Sequence, residues 1–218
     1  MSASALVARR LAAGPTATDG KPFVKRFSGA VDGATRASLL NQTPVTIWLT
    51  GLSGAGKSTV AYGLERRLVS LGRPCYVLDG DNIRHGLTSD LGFALAERRE
   101  NIRRVAHVAQ LMNDAGLIVV TSLISPMRED RTMAREIIGA EHFIETWLSA
   151  SVDVCAQRDP KGLYAKARAG EIASFTGVSS PYETPDAPAL EIDTGSLSES
   201  DSVERVFDYL RSRGVFGT

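Results

Sequence analysis

Short apolar runs alternate with longer amphipathic stretches along the chain from Pro44 onward. The apolar runs predict five β-strands, at residues 45–50, 75–79, 117–123, 143–149 and 189–194. Most of these runs are almost continuously apolar, which is typical of strands buried on both faces, and helical stretches separate them. The pattern therefore predicts an α/β fold, a doubly wound parallel sheet of five main strands with helices on both faces.

The composition fits one globular unit in a reducing compartment. The chain has 218 residues, 43% hydrophobic and 23% charged, and a chain of this size buries enough surface to fold without disulfides. Two cysteines, three histidines and no Cys-x-x-Cys spacing predict neither a disulfide framework nor a zinc site. The 25 basic residues cancel the 25 acidic ones, and no apolar run approaches the ~20 residues of a membrane span. We therefore expect a cytoplasmic protein with neither a nucleic-acid nor a membrane partner.

The amino-terminal segment differs from the rest of the chain in charge. Residues 1–44 contain six basic and two acidic residues, net +4, which leaves the remainder at net −4. We expect residues 1–43 to form a basic arm that is disordered in part, and residues 44–218 to form the folded domain. An organelle transit peptide has a similar bias toward Ala, Ser and Arg. That alternative stays open, as does a basic module that binds a partner.

A phosphate-binding motif follows the first predicted strand. It matches G-x-x-x-x-G-K-[ST] with a strand before it and a helix after it, the context that this P-loop motif requires. Backbone N–H groups of such a loop surround phosphate, the lysine reaches the β and γ phosphates of ATP, and the hydroxyl is placed to bind Mg²⁺. A structural glycine-rich turn is the alternative. The predicted ATP site comprises Gly51, Leu52, Ser53, Gly54, Ala55, Gly56, Lys57, Ser58 and Thr59, with Lys57 catalytic and Ser58 binding the metal.

Other positions favour a kinase over a GTPase or a motor-type ATPase. None of the four asparagines begins the Asn-Lys-x-Asp motif by which a GTPase normally recognises guanine. The third predicted strand also has no acidic residue of the kind that binds metal in many P-loop ATPases. Two acids, Asp79 and Asp81, lie instead at the carboxyl end of the second strand, where ligands bind in open α/β sheets. A capped turn in which Asp81 starts a helix is the alternative, and both roles are compatible.

Helical phase predicts polar residues on the inward face of a helix between residues 96 and 116. Arg98 and Asn101 lie within about 60° of its apolar stripe, whereas Arg99 points away from it. Buried polar groups need partners, so an anionic or hydrogen-bonding substrate is expected here. The alternative for Arg98 is a helix-end side chain that extends to water. The stripe itself is formed by Ile102, Val105, Ala109 and Met112.

A long polar stretch at about residues 159–185 predicts a lid. Structureless segments of this length in a compact domain are usually functional or disordered. A kinase needs such a lid to exclude water from the phosphates, whereas a solvated basic loop is the alternative. The stretch carries three basic residues between three glycines, namely Lys161, Lys166 and Arg168 between Gly162, Gly170 and Gly177.

Six ordered blocks carry a resemblance to a known family. They read GLSGAGKST, LDGDNIRHGL, SDLGF, RRENIRRVAHVAQLM, LISPMREDR and RDPKGLYAKARAGEIASFTGVSSPYE. Over about residues 44–213 the chain resembles adenylylsulfate kinase, which makes 3′-phosphoadenylylsulfate and ADP from ATP and adenylylsulfate in sulfate assimilation. The resemblance implies a homodimer. It also implies an adenylylsulfate pocket formed by Asp81, Arg84, Phe93, Arg98, Asn101, Ile124, Ser125, Lys161 and Phe175.

The residue types of this implied pocket suit an anionic purine nucleotide. Arg84, Arg98 and Lys161 can bind the phosphosulfate. The two phenylalanines offer faces for the purine, with core packing as their alternative role. Asp81 either orients or deprotonates the ribose 3′-hydroxyl, or binds Mg²⁺ through water, and the sequence leaves these roles open.

Ser125 is the third catalytic candidate, after Lys57 and Asp81. The resemblance implies a transient phosphoserine at this position. However, no histidine, lysine or acid lies within its strand to activate the hydroxyl. We therefore expect Ser125 to form a wall of the pocket during direct in-line transfer.

Two other functions stay open from the sequence. One is a different small-molecule kinase that acts on a nucleoside or a sugar acid. The other is a non-catalytic switch module that binds ATP. The sequence carries no sulfurylase domain, so we expect a separate ATP sulfurylase to supply adenylylsulfate.

Overall fold

The computed structural model describes residues 27 and 29–217, and its centre is a five-stranded parallel sheet. The strand order is β2-β3-β1-β4-β5, so the first strand lies in the middle of the sheet. This order confirms the predicted doubly wound parallel sheet, although the last strand has only three residues. The strands are β1 (Thr46–Thr50), β2 (Cys75–Asp79), β3 (Ile118–Ser122), β4 (Phe143–Leu148) and β5 (Leu190–Ile192).

Helices pack on both faces of the sheet because alternate strand residues point to opposite sides. Ile47 and Leu49 of β1 face one apolar layer, while Trp48 faces the other. No described helix is long and apolar enough to cross a membrane. The helices are α1 (Gly33–Leu40), α2 (Lys57–Ser70), α3 (Gly80–Ile83), α4 (Leu95–Asp114), α5 (Arg128–Ile138), α6 (Val152–Arg158), α7 (Leu163–Arg168) and α8 (Glu199–Ser212).

The two apolar layers use different helices. Helices α2 and α8 cover the face that contains Ile47, and α4 and α5 cover the face that contains Trp48. The predicted stripe of α4 lies in the second layer, with Met112 half-buried and its other three members buried. Arg99 is exposed, as its helical phase predicts.

The described part of the amino-terminal arm packs on the domain. Arg36 of α1 forms an ion pair with Asp114 at the end of α4, with 2.7 Å between Nη1 and Oδ2. Gln42 is buried and donates through Nε2 to the carbonyl oxygens of Pro74 (2.8 Å) and Gly116 (2.9 Å). The expected disorder of the arm concerns residues 1–26 and 28, which lie outside the described residues.

Candidate active site

The phosphate-binding loop connects β1 to α2 and requires glycine at its bends. Gly51 has a φ of 150°, and a Cβ at this position would lie 2.7 Å from the carbonyl oxygen of Leu148. Gly56 has a φ of 86° and directly precedes the first residue of α2. A side chain is excluded at the first position and strained at the second. The loop therefore folds closely, and the N–H groups at the start of α2 provide an anion-binding site.

Three side chains outside the motif hold this loop from behind. Tyr164 Oη donates to the carbonyl oxygen of Ser53 at 2.9 Å, and Thr194 Oγ1 donates to that of Ala55 at 2.8 Å. Arg158 donates from Nη1 to the Gly54 carbonyl at 3.4 Å and from Nη2 to the Thr194 carbonyl at 2.5 Å. Burial raises the pKa of the Tyr164 hydroxyl, so it remains a protonated donor. Sequence reasoning missed all three residues because they contact the loop from distant parts of the chain.

Lys57 is buried at the start of α2, and its side chain folds onto the loop. Its Nζ donates to the carbonyl oxygens of Gly51 (2.9 Å) and Leu52 (2.7 Å). Desolvation by burial lowers the Lys57 pKa to about 8, because a low dielectric disfavours the ammonium ion. A phosphate group beside Nζ has the opposite effect and favours the charged form.

We expect ATP binding at pH 8 to take up about half a proton per site, because Lys57 is about half neutral before binding and fully protonated beside phosphate. Isothermal titration calorimetry in buffers of different ionisation enthalpy, with Mg²⁺ present, measures this uptake. The Lys57 contribution should vanish near pH 6.5, where the free protein already carries the proton. The control is Lys57→Met, which should lose the uptake at pH 8. If Lys57→Met takes up as many protons as the wild-type protein, a group other than Lys57 binds the proton.

Ser58 and Asp79 form a hydroxyl–carboxylate pair beside the loop. Ser58 Oγ donates to Asp79 Oδ2 at 2.6 Å and lies 3.1 Å from Ser122 Oγ. Within the described residues, no group of three His, Cys, Asp or Glu side chains is placed to hold a metal ion. The pair nevertheless fits Mg²⁺, which is usually held by one or two carboxylates together with water and phosphate oxygens. From the sequence, Ser58 was the predicted metal ligand and Asp81 an alternative one through water, whereas the hydroxyl of Ser58 pairs with Asp79 at the end of β2.

Asp81 lies two residues further on, in α3, and is exposed. Its carboxylate forms an ion pair with Lys161 of the predicted lid. Both residues act electrostatically on Lys57, Asp81 raising and Lys161 lowering its pKa. The structure thus brings together three predicted site residues that are far apart in the sequence.

Phe93 is presented by a loop that polar contacts hold in place. Glu97 accepts hydrogen bonds from the backbone N–H groups of Gly92 (2.9 Å) and Ala94 (3.0 Å). Arg84 donates to the Gly92 carbonyl at 3.1 Å, and its guanidinium lies 4.3 Å from the centre of the Phe93 ring. The ring is 64% exposed. An exposed aromatic ring in a fixed loop suits stacking on a purine.

Asn101 of α4 is buried, as its phase predicts, whereas Arg98 is half-buried and extends toward two neighbouring segments. Arg98 donates to the Phe93 carbonyl (2.7 Å), to Thr176 Oγ1 (2.9 Å) and to the Ser174 carbonyl (2.9 Å). It therefore joins the Phe93 loop to the lid. Asn101 is buried, and its Oδ1 has no hydrogen-bond partner among the described residues. Such an atom is costly unless a ligand donates to it, so a polar ligand fits here.

Two other predicted pocket residues are turned into the protein interior. The Phe175 ring is buried and packs edge-on against Tyr164, with 4.9 Å between ring centres. Ser125 is 3% exposed, and its Oγ accepts a hydrogen bond from Trp48 Nε1 at 3.1 Å. Ile124 is half-buried beside it. The indole can donate but cannot accept a proton, so this contact does not activate Ser125 as a nucleophile.

The fold and the site together define a class. A phosphate-binding loop after the central strand, a hydroxyl–carboxylate pair next to it and a polar pocket on the β2 side are the parts of a P-loop kinase of small molecules. A gluconokinase from Sinorhizobium meliloti has the same fold, with a TM-score of 0.54 at 17% identity over 79% of this chain and 95% of that one.

Proteins that are more similar in sequence than the gluconokinase identify the family. The family model described as adenylylsulphate kinase matches residues 43–193, and the chain belongs to this family. An adenylyl-sulfate kinase of Vibrio cholerae is 54% identical over 186 residues, which cover 85% of this chain and 86% of that protein. The structure of Mycobacterium tuberculosis APS kinase CysC, in complex with AMPPNP and APS, has a TM-score of 0.75 at 48% identity, covering 78% of this chain and 99% of that one. The bifunctional enzyme NodQ of Rhizobium tropici is 56% identical over 183 residues, which are 84% of this chain but only 29% of NodQ.

Proposed function

We propose that the protein transfers the γ-phosphoryl group of ATP to the ribose 3′-hydroxyl of adenylylsulfate, giving 3′-phosphoadenylylsulfate and ADP. The 3′-oxygen forms a bond to the γ-phosphorus, the bond to the bridging oxygen of ADP breaks, and the hydroxyl proton passes to Asp81. The observation that carries this proposal is the convergence of Lys57, Asp81 and Lys161, since it joins a phosphate loop to a carboxylate on the acceptor side. Family membership supports the choice of acceptor.

The ATP half of the site is assigned to the loop and the residues beside it. Lys57 leaves its two carbonyl partners and binds the β and γ phosphates. Ser58 and Asp79 would hold Mg²⁺, which would supply positive charge beside the phosphates. Because the loop is held from behind by Tyr164 and Thr194, its N–H groups are already oriented before ATP binds.

The acceptor half is assigned to the pocket between α3, α4 and the lid. Arg84, Arg98 and Lys161 supply positive charge for the phosphosulfate, Asn101 supplies a hydrogen-bond acceptor, and Phe93 stacks on the purine. The N–H groups of Arg98 donate to the Phe93 loop and to the lid, so adenylylsulfate must replace some of these hydrogen bonds when it binds. Ile124 and Ser125 form the wall, and Phe175 reaches the purine only if the lid moves.

We also propose that residues 159–185 act as the lid and that residues 44–218 are the catalytic domain. The Lys161–Asp81 ion pair and the Arg98 contacts join this segment to the acceptor side. Lid closure over both substrates excludes water, which limits ATP hydrolysis in the absence of an acceptor.

Replacing Arg98 with Ala should raise the KM for adenylylsulfate about tenfold or more and change the KM for ATP about twofold at most, because a partner of the acceptor anion is lost. Steady-state kinetics with each substrate varied in turn measures the split. Arg99→Ala is the matched control, since Arg99 lies on the same helix, points to solvent and pairs with Glu129 at 2.8 Å. An equal rise in both KM values would place Arg98 in the nucleotide site or in the fold instead.

The alternatives are tested by coupled ADP release with different acceptors. The protein should release ADP quickly with adenylylsulfate and only slowly with ATP alone or with a sugar acid. Comparable rates with a sugar acid would favour another small-molecule kinase. ATP binding without ADP release under any condition would favour a switch module.

The protein is also expected to have protein partners. We propose a homodimer, since β2 is an edge strand and leaves Tyr76 exposed near the exposed Tyr62 of α2. Sedimentation velocity tests it. We further propose that a separate ATP sulfurylase supplies adenylylsulfate, and that the protein acts in the cytoplasm.

A further inference from the structure

Arg131 of α5 is a buried cation that joins three parts of the fold. It is only 3% exposed. Its Nε donates to Glu145 Oε1 on β4 at 2.7 Å, its Nη1 to the Ser125 carbonyl at 2.8 Å, and its Nη2 to the Glu183 carbonyl at 2.7 Å. Glu145 balances the charge. The two carbonyls accept from the N–H groups that Glu145 leaves free, so the guanidinium is also bound to two separate backbone segments.

The first carbonyl belongs to a residue with unusual backbone geometry. Ser125 has a φ of 38°, which residues with a side chain rarely adopt and which persists only where the surroundings impose it. Thr50 Oγ1, at the end of β1, donates to the Ile124 carbonyl at 2.8 Å and lies 3.3 Å from the Ser125 carbonyl. Arg131 and Thr50 thus both form hydrogen bonds to the backbone of the proposed acceptor wall.

The second carbonyl belongs to the segment in which the proposed lid returns to the domain. The Glu183 N–H donates to the Pro126 carbonyl at 2.9 Å, directly after the wall. The neighbouring Tyr182 hydroxyl lies 3.0 Å from Thr50 Oγ1. The lid return and the acceptor wall therefore share Arg131, Thr50 and a backbone hydrogen bond.

We propose that Arg131 is a positioning residue that fixes the Ile124–Ser125 wall and the lid return, residues 182–184, as one unit. The planar guanidinium donates in fixed directions, so a shift of either carbonyl weakens a buried hydrogen bond. The lid position thereby sets the shape of the acceptor pocket. This inference depends on the proposed function in one respect, namely that the acceptor is adenylylsulfate.

The same helix offers a matched control. Arg128 binds the same return segment from outside, donating from Nε to the Thr184 carbonyl at 2.8 Å and pairing with Asp186 at 2.9 Å. It is exposed, and none of its hydrogen bonds to described residues involves Ser125. Loss of Arg128 removes lid contacts without releasing the wall.

The first test compares the kinetics of Arg131→Met, Arg131→Lys and Arg128→Met in the full chain. Arg131→Met should raise the KM for adenylylsulfate about tenfold and leave the KM for ATP within about twofold, because none of the side-chain hydrogen bonds of Arg131 to described residues reaches the ATP loop. Arg131→Lys keeps the charge opposite Glu145 and should recover part of this loss. Arg128→Met should stay within about twofold of wild type in both values. The proposal would be overturned if Arg131→Met raised both KM values equally, or if it left the KM for adenylylsulfate at the wild-type value.

The second test needs no substrate. Hydrogen exchange of the ligand-free protein should rise together in residues 121–127 and 181–186 in Arg131→Lys, and in 181–186 alone in Arg128→Met. If exchange rises in only one of these segments in Arg131→Lys, the wall and the lid return are not coupled. This test remains valid even if Arg131→Met fails to fold. Absence of wild-type ADP release with adenylylsulfate would contradict the proposed function and leave the exchange result to decide on the coupling.

Discussion

Lys57→Ala is expected to lower phosphoryl transfer by more than ~100-fold, the scale of removing a preorganised charge from such a site. Lys57 Nζ lies at the phosphate loop, where its hydrogen-bond partners among the described residues are two backbone carbonyls, so its charge is available to the phosphates. Single-turnover transfer at saturating ATP and adenylylsulfate measures the loss without interference from product release.

The fold of this variant should stay intact. Burial of the ammonium lowers the Lys57 pKa to about 8, which shows that the charged side chain is held at a cost that Ala removes. Circular dichroism and thermal unfolding provide the control. Near-normal transfer by a folded Lys57→Ala protein would end the assignment of the loop as the ATP site.

Asp81→Asn is expected to lower kcat by ~10²- to 10⁴-fold, the range for loss of a general base. Asparagine keeps the size and one acceptor oxygen, but it replaces the other oxygen with an NH₂ donor and accepts no proton at neutral pH. Asp79→Asn is the comparison, because Asp79 and not Asp81 accepts the hydrogen bond from Ser58. We expect Asp79→Asn to raise the Mg²⁺ concentration needed for half-maximal rate, and Asp81→Asn to leave it unchanged. If added Mg²⁺ restored the activity of Asp81→Asn, Asp81 would be a metal ligand and not the general base.

The sheet was predictable from sequence because its strands carry local signals. The strands β1 and β3 are buried along their full length, so they read as continuous apolar runs. The inward phase of Asn101 was predictable for a similar reason, since three buried apolar residues of α4 fix the face of the helix. The last strand was predicted too long because Ala189, Asp193 and Thr194, which flank it in sequence, do not pair with β4.

The contacts that shape the site were not predictable in the same way. Tyr164 and Thr194 contact the phosphate loop across 111 and 139 positions of sequence, and Arg131 acts through its hydrogen bonds to backbone carbonyls. Backbone acceptors have no residue type, so no motif reports them. The φ of Ser125 was equally hidden, because serine gives no local reason for a left-handed backbone.

Identification of the product is the most direct test of phosphoryl transfer to the 3′-hydroxyl of adenylylsulfate. The protein is incubated with Mg²⁺, γ-labelled ATP and either adenylylsulfate or its 3′-deoxy analogue, and the products are analysed by mass spectrometry and phosphorus NMR. We predict one labelled phosphoryl group on the 3′-oxygen of adenylylsulfate for each ADP formed, and no labelled nucleotide from the 3′-deoxy analogue. Label that appears only in inorganic phosphate, or equal transfer to the 3′-deoxy analogue, would contradict the account.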